Sequence, residues 1–272
     1  HGNTMVVGAP GQSNLGFTNN GAAYVYEFDG TNWSEIYKIT DNSPADNNHF
    51  GENVSVGENF MAIASPFHDE NLGIDNGKVT IYQKDEFGNW DFSNSHDVYG
   101  WTDYEEFGGN LDIGDNFIIA SGNGQDVRVI NYDSDMNSWN DFNLPWPNTG
   151  DSMEFDGFGQ NVAINGNTAF VSAPQATIDG INQAGAVYRY EFNGNSWEEA
   201  ARITAQPIQP DMNFGQSIAF DGQQLVIGAP NADNNVTADL DSGKIFVYDF
   251  EGGEINLVQI RTAENQDPDG TY

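Results

Sequence analysis

An all-β fold, a β-propeller built from four-stranded antiparallel blades, is what this sequence predicts, and three observations predict it. The pair Phe-Gly recurs as Phe50-Gly51, Phe107-Gly108, Phe158-Gly159 and Phe214-Gly215, roughly 50 to 60 residues apart. Five short apolar runs keep step with it, each ended by Gly or Pro. No helical periodicity separates them.

Each repeat resolves into four strands, taken in order. The first follows Phe-Gly and closes in a tight turn at Gly57-Glu58, Gly114-Asp115, Asn165-Gly166 or Asp221-Gly222, where a short hairpin favours positive φ. The second is TMVVGAP (4–10), MAIASP (61–66), FIIASG (117–122), AFVSAP (169–174) or LVIGAP (225–230). The third is GAAYVY, GKVTIY, DVRVIN, GAVYRY or GKIFVY, with the period-2 alternation of a strand that has one buried face. The fourth opens on Trp33, Trp90, Trp139 or Trp197, and its fifth copy, EGGEINLVQIRTA, has no tryptophan. The repeats run over approximately 1–49, 50–106, 107–157, 158–213 and 214–272, a single propeller region spanning 1–272.

Two sets of longer loops remain. One follows the second strands, as in PGQSNLGFTNNG and PFHDENLGIDNG; the other precedes each Phe-Gly, as in DNSPADNNHFG, WTDYEEFGG and QPIQPDMNFG. Strand alternation places both sets on one face, which is wide and acidic, with the tight turns opposite.

Phe-Gly, a short hairpin, Gly-Ala-Pro and then Gly-x-Val-Tyr-x-Tyr together resemble the FG-GAP repeat of integrin α-subunit propellers and many secreted bacterial proteins. The resemblance covers nearly the whole chain and is weakest in the third unit, which reads ASGNG. It implies extracellular adhesion and ligand recognition. Integrin-like blades hold calcium in an Asp-x-Asp-x-Asp-Gly loop between the first two strands. Here SVGENF, DIGDNF, AINGNT and AFDGQQ offer too few alternating carboxylates, so those sites are not carried over and the chain is similar to the short-hairpin bacterial subtype. Only four Phe-Gly strands accompany five copies of the other three. The first blade is therefore expected to lack its opening strand, and the chain to be an excerpt of a longer polypeptide whose ring has about seven blades. A five-bladed ring with a donated strand is the alternative.

Composition narrows the partners. Forty-one acidic against eight basic residues leave a net charge of −33, a field that repels phosphate backbones and anionic lipid, so neither nucleic acid nor direct membrane insertion is expected. No basic stretch followed by an apolar one marks HGNTMVVGAP as a leader. Cysteine is absent, which removes disulfides, thiolate nucleophiles and cysteine-ligated zinc. Part of the acidity has a conformational origin, because Asp and Asn favour turns. The Asp, Asn and Gly-rich turns fit a secreted or cell-surface location.

Two places offer oxygen ligands for a peripheral Ca²⁺, although no cofactor is required. Asn265-x-Asp267-x-Asp269-Gly270 matches the opening of a calcium loop or an ordinary Asp-Gly turn, and Asp233, Asp239 and Asp241 line a loop that is either solvated surface or a cation site. The four histidines show no H-E-x-x-H spacing and no G-x-S-x-G elbow appears, so no catalytic residue is assigned. Phe67, with His68 beside it, and Trp101 and Tyr104 are the ligand-binding candidates, since flat rings amid Asp and Asn suit sugar or peptide recognition. Inter-blade packing is the alternative for these rings. The expected function is an extracellular binding or adhesion module for a protein or carbohydrate ligand. A catalytic propeller with a metal-assisted hydrolase or lyase site near the central channel, and a structural spacer in a large surface protein, are the rival readings.

Overall fold

In a computed structural model of the 272-residue chain, the described residues are 1–69, 73–123, 126–136, 138–147, 156–233 and 243–262. Every regular element among them is a β-strand, gathered into five antiparallel sheets. The first holds β1 (Thr4–Ala9), β2 (Ala22–Phe28) and β3 (Trp33–Ile39); the second β4 (Val54–Val56), β5 (Phe60–Ser65), β6 (Lys78–Lys84) and β7 (Trp90–Tyr99). The third comprises β8 (Asn110–Gly114), β9 (Phe117–Ser121), β10 (Val127–Asp133) and β11 (Ser138–Asn143). The fourth comprises β12 (Val162–Asn165), β13 (Thr168–Ala173), β14 (Ala186–Phe192) and β15 (Trp197–Ile203), and the fifth β16 (Ser217–Phe220), β17 (Gln224–Ala229), β18 (Lys244–Glu251) and β19 (Glu254–Thr262). Strands neighbour one another in chain order, as the four-strand repeat predicts, and the first sheet has three strands because this sequence holds no Phe-Gly strand ahead of β1.

The sheets pack face to face in sequence, with β1 against β4, β4 against β8, β8 against β12 and β12 against β16. Four apolar layers fill the seams, and each contains one Phe of the Phe-Gly series. Phe50 lies with Ala23, Val25, Met61 and Ile63; Phe107 with Val79, Ile81 and Ile118; Phe158 with Val127, Val129 and Val171; Phe214 with Val187, Phe170 and Ile227. All four rings are buried. The second strands β5, β9 and β13 are buried along their full length because a sheet covers each face, whereas β17 alternates between exposed and buried positions. In four of the sheets a bulge shifts the register between the third and fourth strands at the same phase, which sharpens the local twist.

The tight turns correct one expectation. Gly166 and Gly222 adopt positive φ, of 55° and 93°, but Gly57 and Gly114 do not. Glycine stands at those two positions because the sheets meet there: a Cβ on Gly57 would lie 2.6 Å from Ile113 Cγ2, and one on Gly114 2.6 Å from Ile164 O.

The two long-loop sets lie on the same face and are tied together. Asn47, His49 and Phe50 donate backbone N–H bonds to the carbonyls of Thr18, Asn19 and Asn20; Tyr104, Glu106 and Phe107 do so to Ile74, Asp75 and Asn76; Asp211, Asn213 and Phe214 to Asn182, Gln183 and Ala184. Asn19, Asn47, His49, Asp75, Tyr104, Glu106, Gln183, Asp211 and Asn213 all take positive φ to make this ladder. Asn and Asp tolerate that conformation best, which accounts for part of the acidity of these loops.

Candidate functional site

The long-loop face carries an aromatic platform between the second and third sheets. Gly100 N donates to Gly77 O at 2.9 Å, turning the chain out of β7. The next two amides, of Trp101 and Thr102, donate to one carboxylate oxygen of Glu105, at 2.6 and 3.0 Å. Glu105 is itself buried, so a charge-assisted pair of bonds fixes the loop from inside. The rings then stand outward: Trp101 is 57% exposed and Tyr104 61%. Ile74, also exposed, lies beside them, its carbonyl accepting from Tyr104 N at 2.7 Å and its own amide donating to Asp103 at 3.2 Å.

Trp101 does not swing freely. The Arg128 guanidinium lies 4.6 Å from its ring centre and 3.7 Å from that of Phe107, a cation held between two aromatic faces. Arg128 is buried, donating to Asp141 Oδ2 at 3.1 Å and Tyr99 O at 2.6 Å. Burial lowers its pKa and raises that of Asp141, while their mutual attraction opposes both shifts. Sequence reasoning missed this residue. Its signal was register, for Arg128 occupies the strand position filled by Tyr24, Thr80, Tyr188 and Phe246 in the other sheets.

A cavity of about 390 Å³ adjoins the same loop, lined by Asn110, Asn123, Gln160 and Gln175 with Phe158 at its wall. Asn123 N donates to Glu105 O at 2.6 Å, linking cavity and platform. Around the platform the carboxyls of Asp75 and Glu106 are raised by burial and, second, by acidic neighbours, Asp69 beside Asp75 and Asp75 beside Glu106.

The other candidates fall elsewhere. His68 is 4% exposed, which removes it from any surface site. Its Nδ1 lies 2.9 Å from Asn48 Nδ2 and 3.7 Å from Asp41 Oδ2, and Asp41 Oδ1 accepts from Lys78 Nζ at 2.5 Å. The physical reason is Lys78, a fully buried cation in β6 that needs a carboxylate; the loop holding Asp41 folds in to supply it, and His68 closes the network. Phe67 is half-buried with His49 edge-on at 5.1 Å, so its ring is partly spent on packing. Asp233 is half-buried and its amide donates to Gln209 Oε1 at 3.2 Å. Asp239, Asp241, Asp267 and Asp269 lie outside the described residues. Among the described residues no group of three or more His, Asp or Glu is placed to hold a metal ion.

Comparison with known proteins agrees with this architecture. The family model described as the FG-GAP repeat matches residues 149–190 and 197–248, which take in the end of the third unit, most of the fourth and the first part of the fifth. Among solved structures the chain resembles the periplasmic gluconolactonase PpgL of Pseudomonas aeruginosa, with a TM-score of 0.50 and 12% identity over 96% of this chain and 68% of that one. A functionally unknown protein from Desulfotomaculum acetoxidans matches at 0.49 and 12%, over 88% of this chain and 62% of the other. U3-55K matches at 0.48 and 12%, over 95% and 63%. The chain thus spans less than two thirds of the latter two, and no curated protein matches its sequence. At 12% identity the likeness to the gluconolactonase concerns the fold. Two adjacent segments of the chain thus match the FG-GAP repeat, and the described strands form successive antiparallel sheets set as the blades of a β-propeller.

Proposed function

We propose that this chain is an extracellular binding module that takes a carbohydrate on its long-loop face. One observation carries the reading: an exposed tryptophan, Trp101, is held flat by a buried arginine beside a cavity lined with side-chain amides. An immobilised ring loses little entropy when a sugar stacks on it, and neutral amides both donate to and accept from hydroxyls. Tyr104 and Ile74 extend the apolar floor, and Asp103 and Asp75 supply further acceptors at its rim. The net charge of −33 favours a neutral ligand over an acidic one. An array of neutral and acidic oligosaccharides, probed with the chain and with Trp101→Ala, tests this. Trp101→Ala should weaken binding by about tenfold or more. Undiminished sugar binding by the variant, or binding confined to peptides on a matched array, would sink the carbohydrate reading.

A further inference from the structure

Among the described residues the fifth sheet is the last of the packed series, and its face is built like the four that are covered. At each seam the Gly of Phe-Gly sits on a fixed pair of residues, one from the second strand and one from the third. A Cβ on Gly108 would lie 2.7 Å from Ala64 Cβ and 3.0 Å from Val79 Cγ2; on Gly159, 3.3 Å from Ser121 Cβ and 3.0 Å from Val127 Cγ2; on Gly215, 3.1 Å from both Ser172 Cβ and Val187 Cγ2. In the first sheet the pair at that register is Gly8 and Ala23; a Cβ on Gly8 would meet Gly51 O at 1.9 Å, while one on Gly51 would meet the adjoining backbone, Ala22 O at 2.4 Å and Ala9 N at 3.3 Å. A second marker accompanies it. Gly21, Gly77 and Gly185, with φ of 84°, 84° and 80°, approach the backbone of Phe50, Phe107 and Phe214 so closely that any Cβ would lie 2.1 to 2.2 Å from it.

In the fifth sheet the corresponding pair is Gly228 and Ile245, which face each other in the register of β17 and β18, and the corresponding glycine is Gly243, with φ of 77°. Ala23, Val79, Val127 and Val187 are buried, but Ile245 is 48% exposed. Around it lies an apolar cavity of about 470 Å³, walled by Gly228, Ala229, Pro230, Gly243, Ile245 and Arg261. We propose that this face is a docking socket for the Phe-Gly segment that opens an FG-GAP blade, the Gly resting on Gly228 and Ile245 and the Phe ring entering beside Gly243 and Pro230. The seam continues an interface made four times within the chain, which fixes the chemistry of the occupant. A second copy of this chain does not supply it, since Phe50, Phe107, Phe158 and Phe214 are each buried in their own seams.

The test uses the whole chain and a labelled synthetic peptide reproducing residues 211–222, which contains Phe214-Gly215 and its strand. Anisotropy should show saturable binding, weakened about tenfold or more by Phe214→Ala or Gly215→Val in the peptide and by Ile245→Asp in the chain. A peptide carrying photoreactive benzoylphenylalanine in place of Phe214 should label Pro230, Gly243 or Ile245, a readout that stands even if Ile245→Asp fails to fold. No saturable binding below about 1 mM peptide, labelling at another sheet, or an Ile245→Asp chain that folds and binds unchanged overturns the proposal. So does a concentration-dependent dimer in sedimentation that Ile245→Asp abolishes, because the face would then take a second copy.

Discussion

Phe158 shows what one repeated residue contributes. Its ring is buried within reach of three others, Trp146 at 5.9 Å, Tyr188 at 6.0 Å and Tyr190 at 6.4 Å, in the layer between the third and fourth sheets. Truncation to alanine removes the ring and leaves a cavity whose walls belong to two sheets that cannot easily close it. Phe158→Ala should therefore cost about 3 to 5 kcal/mol, read as a lowered midpoint in thermal or urea denaturation, and an unshifted midpoint would contradict the role. Phe158 and its counterparts were legible in the sequence because a ring at constant phase marks a constant environment. Arg128 and Lys78 were not, since a cation in an alternating strand reads as a solvent-side residue until tertiary packing brings Asp141 or Asp41 to it. His68 was misread for the same reason: in Pro66-Phe67-His68-Asp69 nothing local announces that a buried lysine will draw the segment inward.

Among the elements, the loop from Gly100 to Glu106 is the one whose order bears on function. Glu105 accepts from two successive amides and is buried beneath them, so Glu105→Ala strands two donors, at about 1 to 3 kcal/mol each where water cannot replace the acceptor. The expected result is a loop that loosens while the sheets stay folded. Trp101 emission, isolated by difference against Trp101→Phe, should shift to the red and lose anisotropy, with Glu105→Gln showing a smaller change because it keeps one acceptor oxygen. Unchanged emission in Glu105→Ala would mean that the Arg128 stack alone holds the ring. The loop's aromatic content was plain in WTDYEEFGG, but its rigidity was not: the sequence does not say which of two adjacent glutamates turns inward. Glu105 does, and Glu106 takes the positive φ of the ladder.

At the scale of the whole molecule, charge governs the response to pH. Burial raises the carboxyl pKa of Asp112, which accepts from Ile164 N at 3.0 Å across the third seam, and that of Asp141. A group with a raised folded pKa binds its proton more tightly when folded, so stability falls as pH rises from the ordinary carboxylate range through the raised value. Turn hydrogen bonds act the other way on Asp29, Asp85, Asp221 and Asp91, the last held at about 2, and the stability they give is lost as pH falls toward those values. With 41 acidic residues repelling one another at neutral pH, the thermal midpoint should rise from about pH 7 to about pH 5 and drop again below about pH 3. In alkali, burial pushes Tyr248 up to about 12 and Tyr82 and Tyr190 higher, so the unfolded chain ionises first and stability should fall above about pH 10. Melting curves across this range check all three limbs, and a maximum at pH 8 or above would refute the carboxylate argument. The strand count, the seams and the loop face were legible because they repeat; the direction of these shifts was not, because it depends on which few carboxylates the fold buries.

The seams described above are always cut at the same phase, since every covered sheet is capped by a Phe-Gly belonging to the repeat after it. A gene that lost the stretch between two Phe-Gly codon pairs would join like to like: without residues 107–157, Ala64 and Val79 would receive Phe158-Gly159 on the surface that now receives Phe107-Gly108. Unequal recombination at these points yields a shorter or longer arc with every remaining joint intact. Length can therefore vary among descendants of such a chain faster than its packing does, whereas a site like that of Trp101, which draws on Ile74, Arg128 and Gln160 from successive repeats, survives only where those repeats stay adjacent.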